Sequence, residues 1–352
     1  MAQINKSTDY FDISTWTATT SAISNLGFSP DWVWIKSTDS ANGHILFDTI
    51  RGANERLSSA SSAAESTRTD ELMSFDSNGY TLGSSGNTND TNPFNASYVG
   101  WSWRGSDSSA VSNTDGSITS TVSANNTSGF SVITWTGDGV GSTVGTGLSG
   151  SETIGFATVK KRSTTSEWQT GVYGAYSANP RNFAYHLELN STSALSGSSP
   201  YMMATQNSGD PSLLKLSTEG YVNGVDYVAY VFKPVKGFSK FGSYTGNGST
   251  NGTFVYTGFK PAFVIIKDVS GARSWIMLDN KRNTFNVANN RLFPDSTDAQ
   301  NTTVDALDFL SNGFKIRSTN TSVNVSGNTY IYMCFAENPF VTSNRAIPAT
   351  AR

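Results

Sequence analysis

Few residues in this chain are of a kind that moves protons, attacks or holds a metal, and their spacing limits each of them. The two histidines, His44 and His186, stand at no metal-binding spacing. Cys334 is the only cysteine, which excludes an intrachain disulfide and a cysteine-based zinc site, and in its apolar run it reads as a buried, inert thiol. The Gly-rich pieces Thr136-Gly137-Asp138-Gly139 and Thr245-Gly246-Asn247-Gly248 lack the Gly-Lys-Ser/Thr ending and the following helix of a phosphate loop, so they read as hairpin turns. No Ser-Gly stretch has the strand-turn-helix setting of a nucleophile elbow. Paired carboxylates can hydrolyse glycosides, and Glu65 with Asp70 or Glu71 is the candidate pair, but it has no counterpart elsewhere in the chain. The expectation is a protein that is not an enzyme, with no cofactor and no metal.

Other residues recur. Asp48 with Arg51 returns as Asp279 with Arg282, a pattern that suits a carboxylate capping a turn beside an arginine that bonds nearby carbonyls. Lys36 and Lys267 end apolar runs and are expected to be solvated or paired. Trp32 with Trp34 and Trp101 with Trp103 alternate along strands, so one member of each pair can point outward, where an indole stacks on a sugar ring or fills a subunit interface. Trp34, Trp101 and Trp103 are the ligand-binding candidates on this ground. Core packing is the competing role for at least half of these tryptophans.

The elements that must position these residues repeat. Phe28-Ser29-Pro30-Asp31-Trp32-Val33-Trp34-Ile35-Lys36 lines up with Phe259-Lys260-Pro261-Ala262-Phe263-Val264-Ile265-Ile266-Lys267, an offset of 231 (259 minus 28), and the same offset sets Phe47-Asp48-Thr49-Ile50-Arg51 on Leu278-Asp279-Asn280-Lys281-Arg282. Further on, Ser77-Asn78-Gly79-Tyr80 answers Ser311-Asn312-Gly313-Phe314, and Tyr98-Val99-Gly100-Trp101-Ser102-Trp103 answers Tyr330-Ile331-Tyr332-Met333-Cys334-Phe335. The middle third keeps the order with looser spelling, through Gly155-Phe156-Ala157-Thr158-Val159-Lys160, Glu219-Gly220-Tyr221 and Tyr227-Val228-Ala229-Tyr230-Val231-Phe232. Pro30, Pro261, Gly79, Gly220 and Gly313 are thus structural positions of a repeat. The division expected is an arm at 1–9, repeats at 10–104, 129–234 (diverged) and 235–340, and a tail at 341–352. The Ser-rich stretch 105–128 reads equally well as a flexible linker or as an added strand around Gly116-Ser117-Ile118-Thr119-Ser120-Thr121-Val122.

Composition agrees with strands. Charged residues make up 14% and aromatics 12% of the 352 residues, and Ser, Thr, Asn and Gly crowd the text; aromatic and β-branched residues favour pleated surfaces, and Gly and Asn supply turns. The apolar runs that start after Pro30 and Pro261 suit strands buried on both faces. One short helix is expected over residues 65–73, capped by Ser61 or Thr67. The fold class expected is all-β, three tandem antiparallel β-sandwich or jelly-roll-like domains with independent cores. A net charge of −3 without runs of Lys or Arg makes nucleic acid a poor partner. The start of the chain carries no basic-plus-apolar signal peptide and no stretch is long and apolar enough to span a bilayer, so synthesis in a bacterial cytoplasm without membrane insertion is expected.

Phe-x-Pro-x-x-Val-x-Ile-Lys, the Asp-x-x-Arg block, Gly242-Ser243-Tyr244-Thr245-Gly246-Asn247-Gly248-Ser249 and the ending Tyr330-Ile331-Tyr332-Met333-Cys334-Phe335-Ala336-Glu337-Asn338-Pro339-Phe340 resemble repeat-built structural proteins of tailed bacteriophages of the marine and cyanobacterial type. The resemblance covers nearly the whole chain and carries no catalytic residue. It implies a virion component, with other virion proteins and a host-surface glycan as partners and a homotrimer as the assembly. A tail fibre or tail-associated recognition protein is the leading expectation. A head-decoration or capsid-fibre protein is the alternative, and a polysaccharide-degrading enzyme the third.

Overall fold

Sequence alternation puts two different cores on the two faces of each central strand. In Trp32–Ser37, Trp32 and Trp34 join one hydrophobic cluster while Val33 and Ile35 join another. In Phe259–Asp268, Phe263 and Ile265 join that same first cluster while Val264 and Ile266 turn to a third. A strand buried on both faces, as the unbroken apolar runs require, therefore lies in the middle of three layers.

The computed structural model describes residues 3–17, 21–83, 91–92, 96–106, 108–172, 186–196 and 211–339; the tail expected at 341–352 falls outside them. Within them one strand order occurs three times. An opening strand pairs with a closing strand, which pairs with an inner strand, which pairs with a flanking strand, every pairing antiparallel. In the first unit these are Phe11–Thr17, Ser97–Trp103, Trp32–Ser37 and Ile45–Asp48; in the second Phe130–Thr136, Asp226–Phe232, Phe156–Lys161 and Gln169–Val172; in the third Ser239–Thr245, Thr329–Pro339, Phe259–Asp268 and Ile276–Asp279. Each sheet carries a smaller one on its outer face, in the third unit Phe254–Tyr256, Gly313–Ile316 and Leu307–Leu310. The protein is an all-β sandwich fold.

The hairpins of the small sheets need glycine where Ser-Asn-Gly was read as a turn. A Cβ on Gly79, whose φ is +156°, would lie 1.6 Å from the Ile23 carbonyl oxygen, and one on Gly313 would lie 2.0 Å from that of Val255. Pro30 and Pro261 are buried at the entries to the inner strands. Gly220 is not the counterpart of Gly79 and Gly313, since Leu213 holds that register position in the second unit; it ends a 3-10 turn, Thr218–Gly220, and its carbonyl accepts from Trp135 Nε1 at 2.9 Å. The helix expected over residues 65–73 is not formed: Ser66–Thr67 and Leu72–Asp76 are strands, and Glu55 and Arg56 pair with Thr67 and Ser66. The Ser/Thr content of that stretch and its partner across the sheet outweigh a weak local preference. The stretch 105–128 contains two strands, Val111–Asn113 and Ser120–Asn125, added to the free edge of the second sheet.

A small sheet covers only one face of its main sheet. The other faces of all three main sheets meet in one cluster that the sequence reading of independent cores did not anticipate. At its centre are Trp103, Phe232 and Phe335, which occupy equivalent places, each opposite a large aromatic residue of its inner strand: Trp32, Phe156 and Phe263. Their ring centroids lie 5.4–6.1 Å from one another, so the units are arranged about a pseudo-threefold axis. Ile4 in the N-terminal arm is buried in the same cluster, and Gln3 is hydrogen-bonded to Lys236 at the junction of the second and third units.

Truncating a ring at this axis removes contacts to all three units at once. Phe335→Ala is expected to cost about 3–5 kcal/mol, and calorimetry should show the wild type unfolding in one transition. Separate transitions for the three units would show that the shared cluster does not couple them.

Candidate functional site

The recurring Asp and Arg residues sit where one unit meets the next. Asp48 ends its strand and its Oδ1 accepts from the amides of Ile50 and Arg51 at 3.1 and 2.9 Å, the turn cap its spacing suggested. Its other oxygen pairs with Arg51 and accepts from Tyr230 Oη of the second unit at 2.8 Å. Asp279 repeats the cap, pairs with Arg282 Nε at 2.6 Å, and accepts from Trp101 Nε1 of the first unit at 3.2 Å. Burial alone would lower the Arg51 pKa, but Asp48, Tyr230 and Glu65 around it raise it, so the guanidinium is fixed in its charged form.

A second set of contacts crosses the seams in the same sense, each donor belonging to the unit that follows its acceptor's. Trp168 Nε1 of the second unit donates to the Ser58 carbonyl of the first at 2.8 Å, and Trp275 Nε1 of the third to the Glu188 carbonyl of the second at 2.9 Å. His44 holds the corresponding place in the first unit. It accepts on Nδ1 from Trp34 Nε1 at 2.9 Å and presents its other nitrogen to the backbone of Phe293. Burial, with Lys36 and Arg282 nearby, drives its pKa well down, so it is a neutral core imidazole and not a general base at hand. Lys36 and Lys267 were expected to be solvated or paired; both are buried, with Nζ on backbone carbonyls, of Ser37 and Ser40 for Lys36 and of Thr192 and Arg273 for Lys267. Lys160 is their counterpart and bonds the Ser62 carbonyl at 3.0 Å.

The ligand-binding candidates fare differently. Trp34, Trp101 and Trp103 are 1%, 0% and 1% exposed and lie in the shared cluster, so no indole face is open to a sugar. The outward face that alternation implied is the face turned to the other two units. Glu65 accepts from Arg162 at 2.7–3.1 Å and from Arg51 at 3.0 Å. Burial raises its pKa, but these two arginines outweigh it and hold the carboxyl below its usual range, the reverse of what a proton-donating acid requires. Glu71 is tied to Arg56. Cys334 is buried, and burial pushes its thiol pKa up, which keeps it inert.

Aromatic surface is found elsewhere. Phe254 and Tyr256, 45% and 54% exposed, flank buried Val255 on an edge strand of the third unit's small sheet. Phe254 lies opposite Lys315, whose Nζ donates to Asn251 Oδ1 at 2.6 Å, and Lys240 Nζ lies 5.4 Å from the Tyr256 ring centroid. By register the same places hold Ala22 and Ser24 in the first unit and Thr143 and Gly145 in the second. The aromatic pair is peculiar to the third unit.

Residues 6–339 match in one stretch a domain of unknown function, DUF7483. The chain belongs to that family. No curated protein and no solved structure matches it. The DUF7483 stretch spans all three units, as a fold with a shared central cluster requires. Its exposed pair combines two ring faces with lysine and amide groups at their rim, an arrangement that can stack the C–H face of a sugar and bond its hydroxyls. Sequence reasoning passed over Phe254 and Tyr256; the signal available was Phe-Val-Tyr standing where the other repeats have small residues.

The buried lysines give this DUF7483 chain a pH signature. Desolvation lowers Lys160 and Lys267 to about 8, against 10.5 unfolded. Between those values the unfolded chain binds more protons, so this contribution to stability is present above 10.5 and is lost as pH falls through about 8. Lys160→Met is therefore expected to gain most over wild type at neutral pH and progressively less toward pH 10, read as the difference in urea midpoints. A constant difference across that range would mean that Lys160 does not lose its proton in the fold.

Proposed function

We propose that this chain is a non-enzymatic structural protein of a bacteriophage virion, a tail fibre or tail-associated protein that contributes to recognition of a host-surface glycan. The observation that carries the reading is the exposed Phe254 and Tyr256 pair, present in one unit of three and rimmed by Lys240, Lys315 and Asn251. Exposed aromatics cost solubility unless they are used, and the two equivalent positions show that the fold does not need them. The repeat blocks that resemble tail and virion proteins support the placement. On this reading the partners are other virion proteins and the glycan, and the chain is made in the host cytoplasm and carried on the particle. The burial of long faces that favoured a homotrimer is already supplied by three units of one chain, so any association of several chains uses other surfaces.

The double substitution Phe254→Ser and Tyr256→Ser should weaken binding of the purified chain to host cells and to extracted surface polysaccharide about tenfold, since each ring contact is worth about 0.5–1.5 kcal/mol. Its melting temperature should stay at the wild-type value. Unchanged binding removes the aromatic pair as the recognition site. Antibody-gold label on the heads of intact particles, with bare tails, would replace the tail placement with head decoration.

A further inference from the structure

We propose that the seam between the third and first units is a binding site for an acidic sugar, a pyranose bearing a carboxylate. The argument is a comparison of two equivalent seams within one molecule. At the first-to-second seam the Glu65 amide donates to the Arg162 carbonyl at 2.8 Å; at the third-to-first seam the Gln300 amide donates to the Thr38 carbonyl at 2.7 Å. Arg51 Nη1 bonds Glu65 and the Glu55 carbonyl as Arg282 Nη1 bonds Gln300 and the Asn290 carbonyl. Glu65 and Gln300 are therefore counterparts, as are Arg162 and Thr38.

Their chemistry differs. The first seam is closed by four charges that cancel, Asp48 and Glu65 against Arg51 and Arg162, and Arg51 Nη2 bonds Leu46 and Tyr230 at 3.0 Å each. At the other seam Gln300 is neutral, Thr38 is too short to reach where Arg162 reaches, and buried Arg282 Nη2 has no hydrogen-bond partner among the described residues. Lys281 stands where the first unit has Ile50. What opens there is a cavity of about 760 Å³. Among the described residues its charged lining residues are Lys281 and Arg282, no carboxylate lines it, and Ser14, Thr15, Asn25 and Ser97 offer hydroxyl and amide groups around it. Lys281 also feels Asp12, which lines a smaller adjoining cavity and not this one. A ligand carboxylate beside Arg282 and Lys281 supplies the charge that Glu65 supplies at the closed seam. The volume suits a sugar unit or two in place of a bare ion, and the hydroxyl-rich wall suits the rest of the ring. The site lies apart from Phe254 and Tyr256, so it stands or falls independently of the proposed recognition face.

Calorimetric titration of the full chain with a galacturonate trisaccharide, a neutral galactose trisaccharide, and free acetate or phosphate tests this. The acidic trisaccharide is expected to bind at least tenfold more tightly than the other three. Lys281→Glu should weaken it tenfold or more. Thr38→Arg combined with Gln300→Glu, which rebuilds the closed seam, should abolish binding while holding or raising the melting temperature, and Phe254→Ser with Tyr256→Ser should leave it unchanged. Equal binding of neutral sugar, equal binding of the small anions, no binding of the acidic sugar, or undiminished binding to the rebuilt seam each overturns the proposal.

Discussion

Everything in this fold follows from a covering requirement. A four-stranded sheet made of alternating large apolar residues has two faces to remove from water, and a small sheet of two or three short strands can serve only one. Trp103, Phe232 and Phe335 meet because each belongs to a face left over in this way, and each such face is covered by those of the other two units. The shared cluster is thus the condition on which the three outer cores exist, because a unit removed from it exposes its tryptophans and phenylalanines.

Within that cluster the polar contacts set orientation more than they add stability. Burying Asp48 and Arg51 together costs desolvation that their attraction only roughly offsets, and the remaining acceptor capacity of the carboxylate is met by Tyr230 from the next unit. Asp279 and Trp101 repeat the arrangement. At the equivalent register positions of the second and third units stand Val172 and Met333, both apolar and both at the same cluster. The two polar junctions fix how the units turn about the axis, and the apolar one closes the ring with no such demand.

How much of this was legible in the sequence depends on range. Val33 through Lys36 reads as a strand buried on both faces because its apolar run is unbroken, and Ser77-Asn78-Gly79 reads as a hairpin because of its turn chemistry; both are local properties. Trp34 and Trp101 were assigned an open face because alternation usually leaves one side of an antiparallel sheet to water. That rule fails when a second sheet, coded more than a hundred residues away, takes the place of water. The same distance hides the partner of Asp48: its cap is three residues long, while Tyr230 lies 182 residues on. Phe254 and Tyr256 pose the converse difficulty, since Phe-Val-Tyr fits a buried strand equally well, and only the lack of a covering layer among the described residues makes its outer face a surface.

One chain carrying three units can do what three identical chains cannot. In a symmetric trimer every substitution appears at all three seams, so a residue that opens one seam opens them all. Here Arg162 closes the seam between the first and second units with Glu65, while Thr38 and Gln300 leave the equivalent seam open, and each choice is compatible with the same central cluster. The outer small sheets show the same freedom, with aromatic residues on the third and small ones on the others. The physical basis is a separation of burdens. The inward residues at the axis must fit all three units and so resist change, whereas the seam rims and outer sheets answer only to their immediate neighbours, and differences between the units collect there.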